Sequence, residues 1–161
     1  DVAVRIGDLA DSGLRARRVG TVHWYTVASP GYLEAEGEPR YPAELSERPT
    51  IAETSMSGPP RWLYPIDGKD QPILLAPRLV ANDIDVQLDS ARKGRGIARF
   101  LSYQVAADLG SGALVRILRR YEPRGVPVHI VMAGGRHLHG RTRALADHLF
   151  TQLRKTLSDI D

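Results

Sequence analysis

Residues Pro77 to Leu118 read PRLVANDIDVQLDSARKGRGIARFLSYQVAADLGSGALVRIL, and this stretch decides the fold class. The run from Gln71 to Val80 has strand character, and Asn82 and Asp83 are cap candidates for a helix through Lys93 that Gly94 stops. Gly96, Ile97 and Ala98 predict a short buried strand. Leu101, Val105 and Leu109 then fall on one helical face, closed by Gly110 and Gly112. Leu114 to Leu118 is extended again. Strands alternating with helices point to an α/β fold with parallel pairing, because a parallel strand needs a crossover of about a dozen residues.

Upstream, residues 1–7 predict a short strand ending in Gly7, followed by a polar loop from Asp8 to Gly13. Arg17 to Ser29 (RRVGTVHWYTVAS) predicts one long strand, rich in the β-branched and aromatic types that suit a pleated surface. Ser29 is placed to cap a short helix whose first turn accepts Pro30. Pro42 starts a single helical turn within a turn-rich connection. Glu53 to Asp70 reads as loop and edge hairpin, with Trp62 and Tyr64 as anchors rather than a stacking platform. Downstream, Pro127 to Met132 is a strand. The last helix, about residues 139–157, carries Leu145, Leu149, Leu153 and Leu157 at spacing four.

Composition narrows the function. Apolar residues make up 42% and charged residues 25% of 161, as in an ordinary globular domain. No apolar run spans a membrane, so no membrane partner is expected. With no cysteine, disulfide and thiolate chemistry are excluded. The formal charge of +3 is scattered, with no continuous basic stripe interleaved with aromatics of the kind a nucleic-acid groove needs. His137, His139 and His148 lack the spacing of a zinc site, and Gly94-x-Gly96 and Gly134-Gly135 lack a nucleotide-binding continuation. No metal or cofactor and no enzymatic activity are expected. The first residue is not Met, and a longer parent protein is expected.

Several stretches, in order, carry a family likeness: DVAVRIG at 1–7, LRARRVGTVHWYTVASPGYLEAEGEP at 14–39, the 77–118 stretch, and PVHIVMAGGRHLHGRTRALADHL at 127–149. Together they resemble the effector-binding domain of LysR-type transcriptional regulators. The resemblance implies a two-lobed, periplasmic-binding-protein-like (type 2) fold with a small effector, anionic or aromatic, between the lobes. It assigns residues 21–113 to a complete second lobe, and 1–20 with 114–161 to an incomplete first lobe. Strands near 2–6 and 127–132 would then lack sheet partners and helical cover. A cytoplasmic regulator is implied, a homodimer or tetramer in full length, with the helix from Asp83 to Lys93 as half of the subunit interface. It would reach DNA only through a helix-turn-helix outside this chain. A transport solute-binding protein of the same architecture is the alternative.

Ligands of such folds sit beyond strand ends and at helix N-termini, where free N–H groups favour anions. Ser29, Asn82 and Asp83 fit that description, each equally well explained as a plain helix cap. Gly96, with Ile97 beside it, would let backbone approach a ligand, or simply allow close strand packing. Arg5, beside Gly7, and Arg99 offer guanidinium groups that grip carboxylates in a two-pronged fashion; either would also serve as a solvated surface arginine.

Overall fold

The computed structural model describes residues 2–9, 15–54, 58–132 and 140–158. In chain order the elements are β1 (Val2–Ile6), β2 (Arg15–Val22), β3 (Trp24–Ala28), α1 (Pro30–Glu36), a 3-10 helix (Pro42–Glu47), β4 (Pro49–Glu53), β5 (Arg61–Ile66) and β6 (Lys69–Leu74). There follow β7 (Ala76–Ala81), α2 (Ile84–Arg92), β8 (Ile97–Leu101), α3 (Ser102–Ser111), β9 (Val115–Ile117), a second 3-10 turn (Arg119–Tyr121), β10 (Val126–Met132) and α4 (Gly140–Ser158). The chain divides into two compact units, 1–23 with 124–161, and 24–123.

The smaller unit is an antiparallel sheet in the order β1-β10-β2. This corrects the expectation of unpartnered strands. β10 is central, with Val4 opposite Ile130 on one side and Ile130 opposite Arg17 on the other. Helix α4 supplies cover. Gly20 admits it: a Cβ there would stand 2.9 Å from Leu157 Cδ1. The Arg17 guanidinium stacks 3.4 Å from the Phe150 ring centroid and meets Asp147 at 3.1 Å. The leucine stripe does not hold along α4: Leu157 is buried, while Leu145 is 51% exposed and Ala146 takes the inward place. Steps of four residues overshoot a full turn by about 40° each, so the row winds off the packed face.

The larger unit is built on a mixed sheet in the order β7-β4-β8-β3-β9. β4 pairs in parallel with both β7 and β8, whereas β3 runs antiparallel to β8 and β9. One face packs Tyr25, Val27, Ala98 and Phe100 against Leu88 and Ala91 of α2 and Val105 of α3. The other packs Ala28, Ile97 and Ile117 with Tyr32, Leu45 and Tyr64, under the β5–β6 hairpin. Alternate residues of β3 and β8 thus go to opposite cores, as the period of two requires.

One sequence expectation shifts. The single strand from Arg17 to Ser29 breaks at His23 into β2 and β3, which belong to different sheets. Val115, Arg116 and Ile117 pair with Ala28, Val27 and Thr26, which ties β9, a strand of only three residues, to the larger unit.

Candidate functional site

Strand directions in the larger unit sort the candidate residues. The carboxyl ends of β4, β7, β8 and β9 share one edge of the sheet with the start of β3. Asn82 and Asp83, following β7, lie at that edge, and both are exposed. The Asp83 carboxylate accepts hydrogen bonds from the Asp85 and Val86 N–H groups at 2.9 and 3.2 Å, capping α2.

Ser29 follows β3 and so lies at the opposite edge. Its hydroxyl accepts from the Tyr32 N–H at 3.2 Å, and the residue is buried. Gly94 is its neighbour, with φ of +69° and room for a Cβ only 3.3 Å from Ser29 Oγ. Gly96 is also at this edge. A Cβ on it would fall 2.7 Å from the Pro49 carbonyl oxygen, so this glycine serves the close approach of backbone to β4. Ile97 is fully buried in the core beneath the hairpin.

In the smaller unit, Arg5 is an exposed residue of β1 opposite His129. Gly7 takes φ of +118°, and its N–H donates to the Pro127 carbonyl at 2.9 Å. A side chain at that φ would be strained, which accounts for glycine there. Ser29 and Asn82 are therefore not brought together, and Arg99 stands apart from both.

Arg99 is the unusual one. It interrupts the apolar strand β8, opposite Thr26 on β3, on the face that Tyr64 covers. Its guanidinium carbon lies 4.9 Å from the Tyr64 ring centroid and 5.6 Å from that of Trp24. Nη1 donates to the Leu63 carbonyl at 3.0 Å, while Nε is buried without a partner. No carboxylate forms an ion pair with it among the described residues. Burial pushes its pKa down, against smaller upward pulls from Tyr64 and Glu122. Tyr64 is itself 1% exposed, its hydroxyl 2.7 Å from Thr26 Oγ1, and burial raises its pKa.

A half-buried cation on two aromatic faces, with an N–H left over, is suited to accept an anion. The parts Trp24 and Thr26 escaped the sequence reading, where they counted only as strand formers. The available signal was an arginine inside a strand otherwise made of buried apolar residues.

Among the described residues no group of three or more His, Asp or Glu side chains is arranged to hold a metal ion. His137, His139, Gly134 and Gly135 lie outside those residues. Likewise, among the described residues no helix is long and apolar enough to cross a membrane.

Two α/β units, the larger with a mixed sheet covered on both faces, define the periplasmic-binding-protein-like class of regulatory domain. Residues 1–154 match the LysR substrate binding domain, and the chain belongs to that family. It is 32% identical over 157 residues to an HTH-type transcriptional regulator of Xanthomonas campestris, covering 95% of this chain and 46% of that protein. Among solved structures it resembles the regulatory domain of AphB from Vibrio vulnificus, with TM-score 0.80, 25% identity, and coverage of 94% of this chain and 75% of that one. It also resembles the regulatory domain of CrgA, a LysR-type transcriptional regulator from Neisseria meningitidis, with TM-score 0.79, 27% identity, and coverage of 95% and 75%. The chain spans about half the length of the curated relatives it matches. It is the effector-binding domain of a LysR-type transcriptional regulator, and the relatives it matches are regulators rather than enzymes.

Proposed function

We propose that this domain senses a small carboxylate, aromatic or anionic in character, and that Arg99 is its anchor in the larger unit. The observation that carries the proposal is the Arg99 guanidinium: half-buried, stacked near Tyr64 and Trp24, with Nε unpartnered and, among the described residues, no carboxylate ion-paired to it. A carboxylate could neutralise the charge while an aromatic body meets the Trp24 ring. Asn82 and Asp83, at the edge where β3 begins, are the next candidates. Ser29, Gly96 and Ile97 have structural duties enough, and Arg5 with Gly7 would contribute only from the smaller unit.

Binding would shift the parent protein between two arrangements by its differential affinity for them, biasing a helix-turn-helix carried elsewhere and so its grip on cytoplasmic DNA. Side-by-side pairing of two copies through α2 is supported by Val80 and Val86, 46% and 47% exposed on β7 and α2. Val86→Glu should then drive a dimer to monomer in sedimentation.

The test is a thermal-shift screen against aromatic and aliphatic carboxylates. A ligand at about 100 times its Kd adds roughly 2.7 kcal/mol and moves the melt by several degrees. Arg99→Gln should erase the shift, and Arg99→Lys should weaken it, since lysine lacks the planar fork. An undiminished shift in Arg99→Gln sinks the assignment.

A further inference from the structure

A second cation-rich feature lies in the same unit, with a lining that does not include Arg99. The turn after β9 and the segment leading into the first 3-10 helix border a groove of about 760 Å³. Its basic side chains are Arg40, Arg119 and Arg120, all exposed and none ion-paired among the described residues. Its aromatic walls are Tyr41, 59% exposed, and Tyr121, with ring centroids 6.4 Å apart and planes tilted by 59°.

The groove is held in shape from beneath. Leu118, at its floor, is buried with φ of +54°, a left-handed conformation that leucine adopts only when its surroundings impose it. Glu44 Oε1 accepts from the Arg40 and Tyr41 N–H groups at 2.8 and 3.1 Å, fixing the opposite wall. Arg116 also lines the groove, but Glu122 holds it with hydrogen bonds of 2.7 and 2.6 Å, so it adds no free charge. Glu38 is the groove's own acidic residue.

We infer that this groove docks an acidic, extended segment of a partner protein, carboxylates on the three arginines and an apolar side chain on the tyrosine pair. Three observations favour that occupant. The groove is more open than enclosed, whereas a small metabolite's pocket encloses most of its ligand. Its cations are all arginine, and the combination of arginine with exposed tyrosine is the composition of protein-protein hot spots. Duplex DNA would use the arginines and the tyrosine hydroxyls, but it has no exposed apolar side chain to cover the two ring faces, because its bases are stacked inside.

The experiment uses the whole 161-residue chain and a fluorescein-labelled peptide of alternating Glu-Leu and Asp-Phe steps, read by anisotropy at low salt. Binding with Kd of about 10–100 μM is expected, the range of a small transient contact. Arg119→Glu with Arg120→Glu, and separately Tyr41→Ala, should each weaken it about tenfold or more. All three side chains are exposed, and an unchanged thermal melt confirms folding. Should the charge reversal disturb the fold, Arg40→Gln outside the 3-10 turn gives the same reading, with a smaller loss.

The inference is overturned if the Gln/Asn version of the peptide binds equally well. Equal or tighter binding of a short DNA duplex, lost in the same variants, overturns it in favour of nucleic acid. Displacement of the peptide by free benzoate or phthalate overturns it in favour of a small molecule. Absence of peptide binding up to about 1 mM overturns it outright.

Discussion

Arg116 and Arg99 sit on strands either side of β3, and each lies over a tyrosine. Arg116 is 3.6 Å from the Tyr25 ring centroid and grips Glu122 with two hydrogen bonds. Arg99 is 4.9 Å from the Tyr64 centroid, and among the described residues no carboxylate forms an ion pair with it. Hydrogen bonding to the Glu122 carboxylate raises the Arg116 pKa, whereas burial lowers that of Arg99. One arginine is finished by the fold; the other, on our proposal, awaits a carboxylate that the fold does not supply. Position in a sheet and an aromatic neighbour do not separate structural from binding arginines. The partner does.

Removing that partner should have the largest effect. Glu122→Gln leaves a part-buried guanidinium half-satisfied and is expected to cost about 2–3 kcal/mol in urea unfolding. A cost below about 0.5 kcal/mol would mean the pair is no more structural than a surface bridge. Next comes Tyr64→Phe, which removes the hydroxyl from Thr26 Oγ1 and should cost about 1 kcal/mol. It keeps the aromatic face, so effector-induced stabilisation should survive, and its loss would show that the hydroxyl rather than Arg99 carries recognition.

Arg99→Met sharpens the contrast. Burying a thioether in place of a desolvated cation should leave stability within about 1 kcal/mol of wild type while abolishing the carboxylate response. A large destabilisation would make Arg99 structural like Arg116.

The smallest effect belongs to a third arginine. Arg48 pairs with Glu44 at 3.1 Å, and hydrogen bonds from Arg40 and Tyr41 N–H groups help hold the Glu44 pKa below its ordinary 4.5. A carboxyl with a depressed folded-state pKa stabilises above its unfolded value and loses that contribution as pH falls through the folded value. Wild type should therefore exceed Glu44→Gln in stability at pH 7, and the gap should close in acid below about pH 4. A gap independent of pH would assign the effect to packing.

Much of the fold was legible because local signals were strong. Ser29 with Pro30, Asp83 before α2, and Gly112 at φ of +76° after α3 all act as their types predict. The break at His23 was not legible: no proline or turn signal falls there, and only hydrogen bonding to β10 on one side and β8 on the other divides the segment. The leucine row of α4 misled for the opposite reason, a regular spacing that is not the helix's own.

The candidate site divides in the same way. Arg99 could be named from the sequence because a charged residue inside a buried strand stands out, yet nothing in the chain order says that Trp24, Thr26 and Tyr64 surround it. Fold class and the caps follow from residue types at short spacing, where propensity and hydrogen-bonding capacity act locally, while the family rests on the resemblance of ordered motifs over most of the chain. Which glycine serves packing, which arginine is paired, and that Ser29 and Asn82 lie at opposite sheet edges were settled only by tertiary structure. Strand direction and burial are properties of residues far apart in sequence, and no local pattern encodes them.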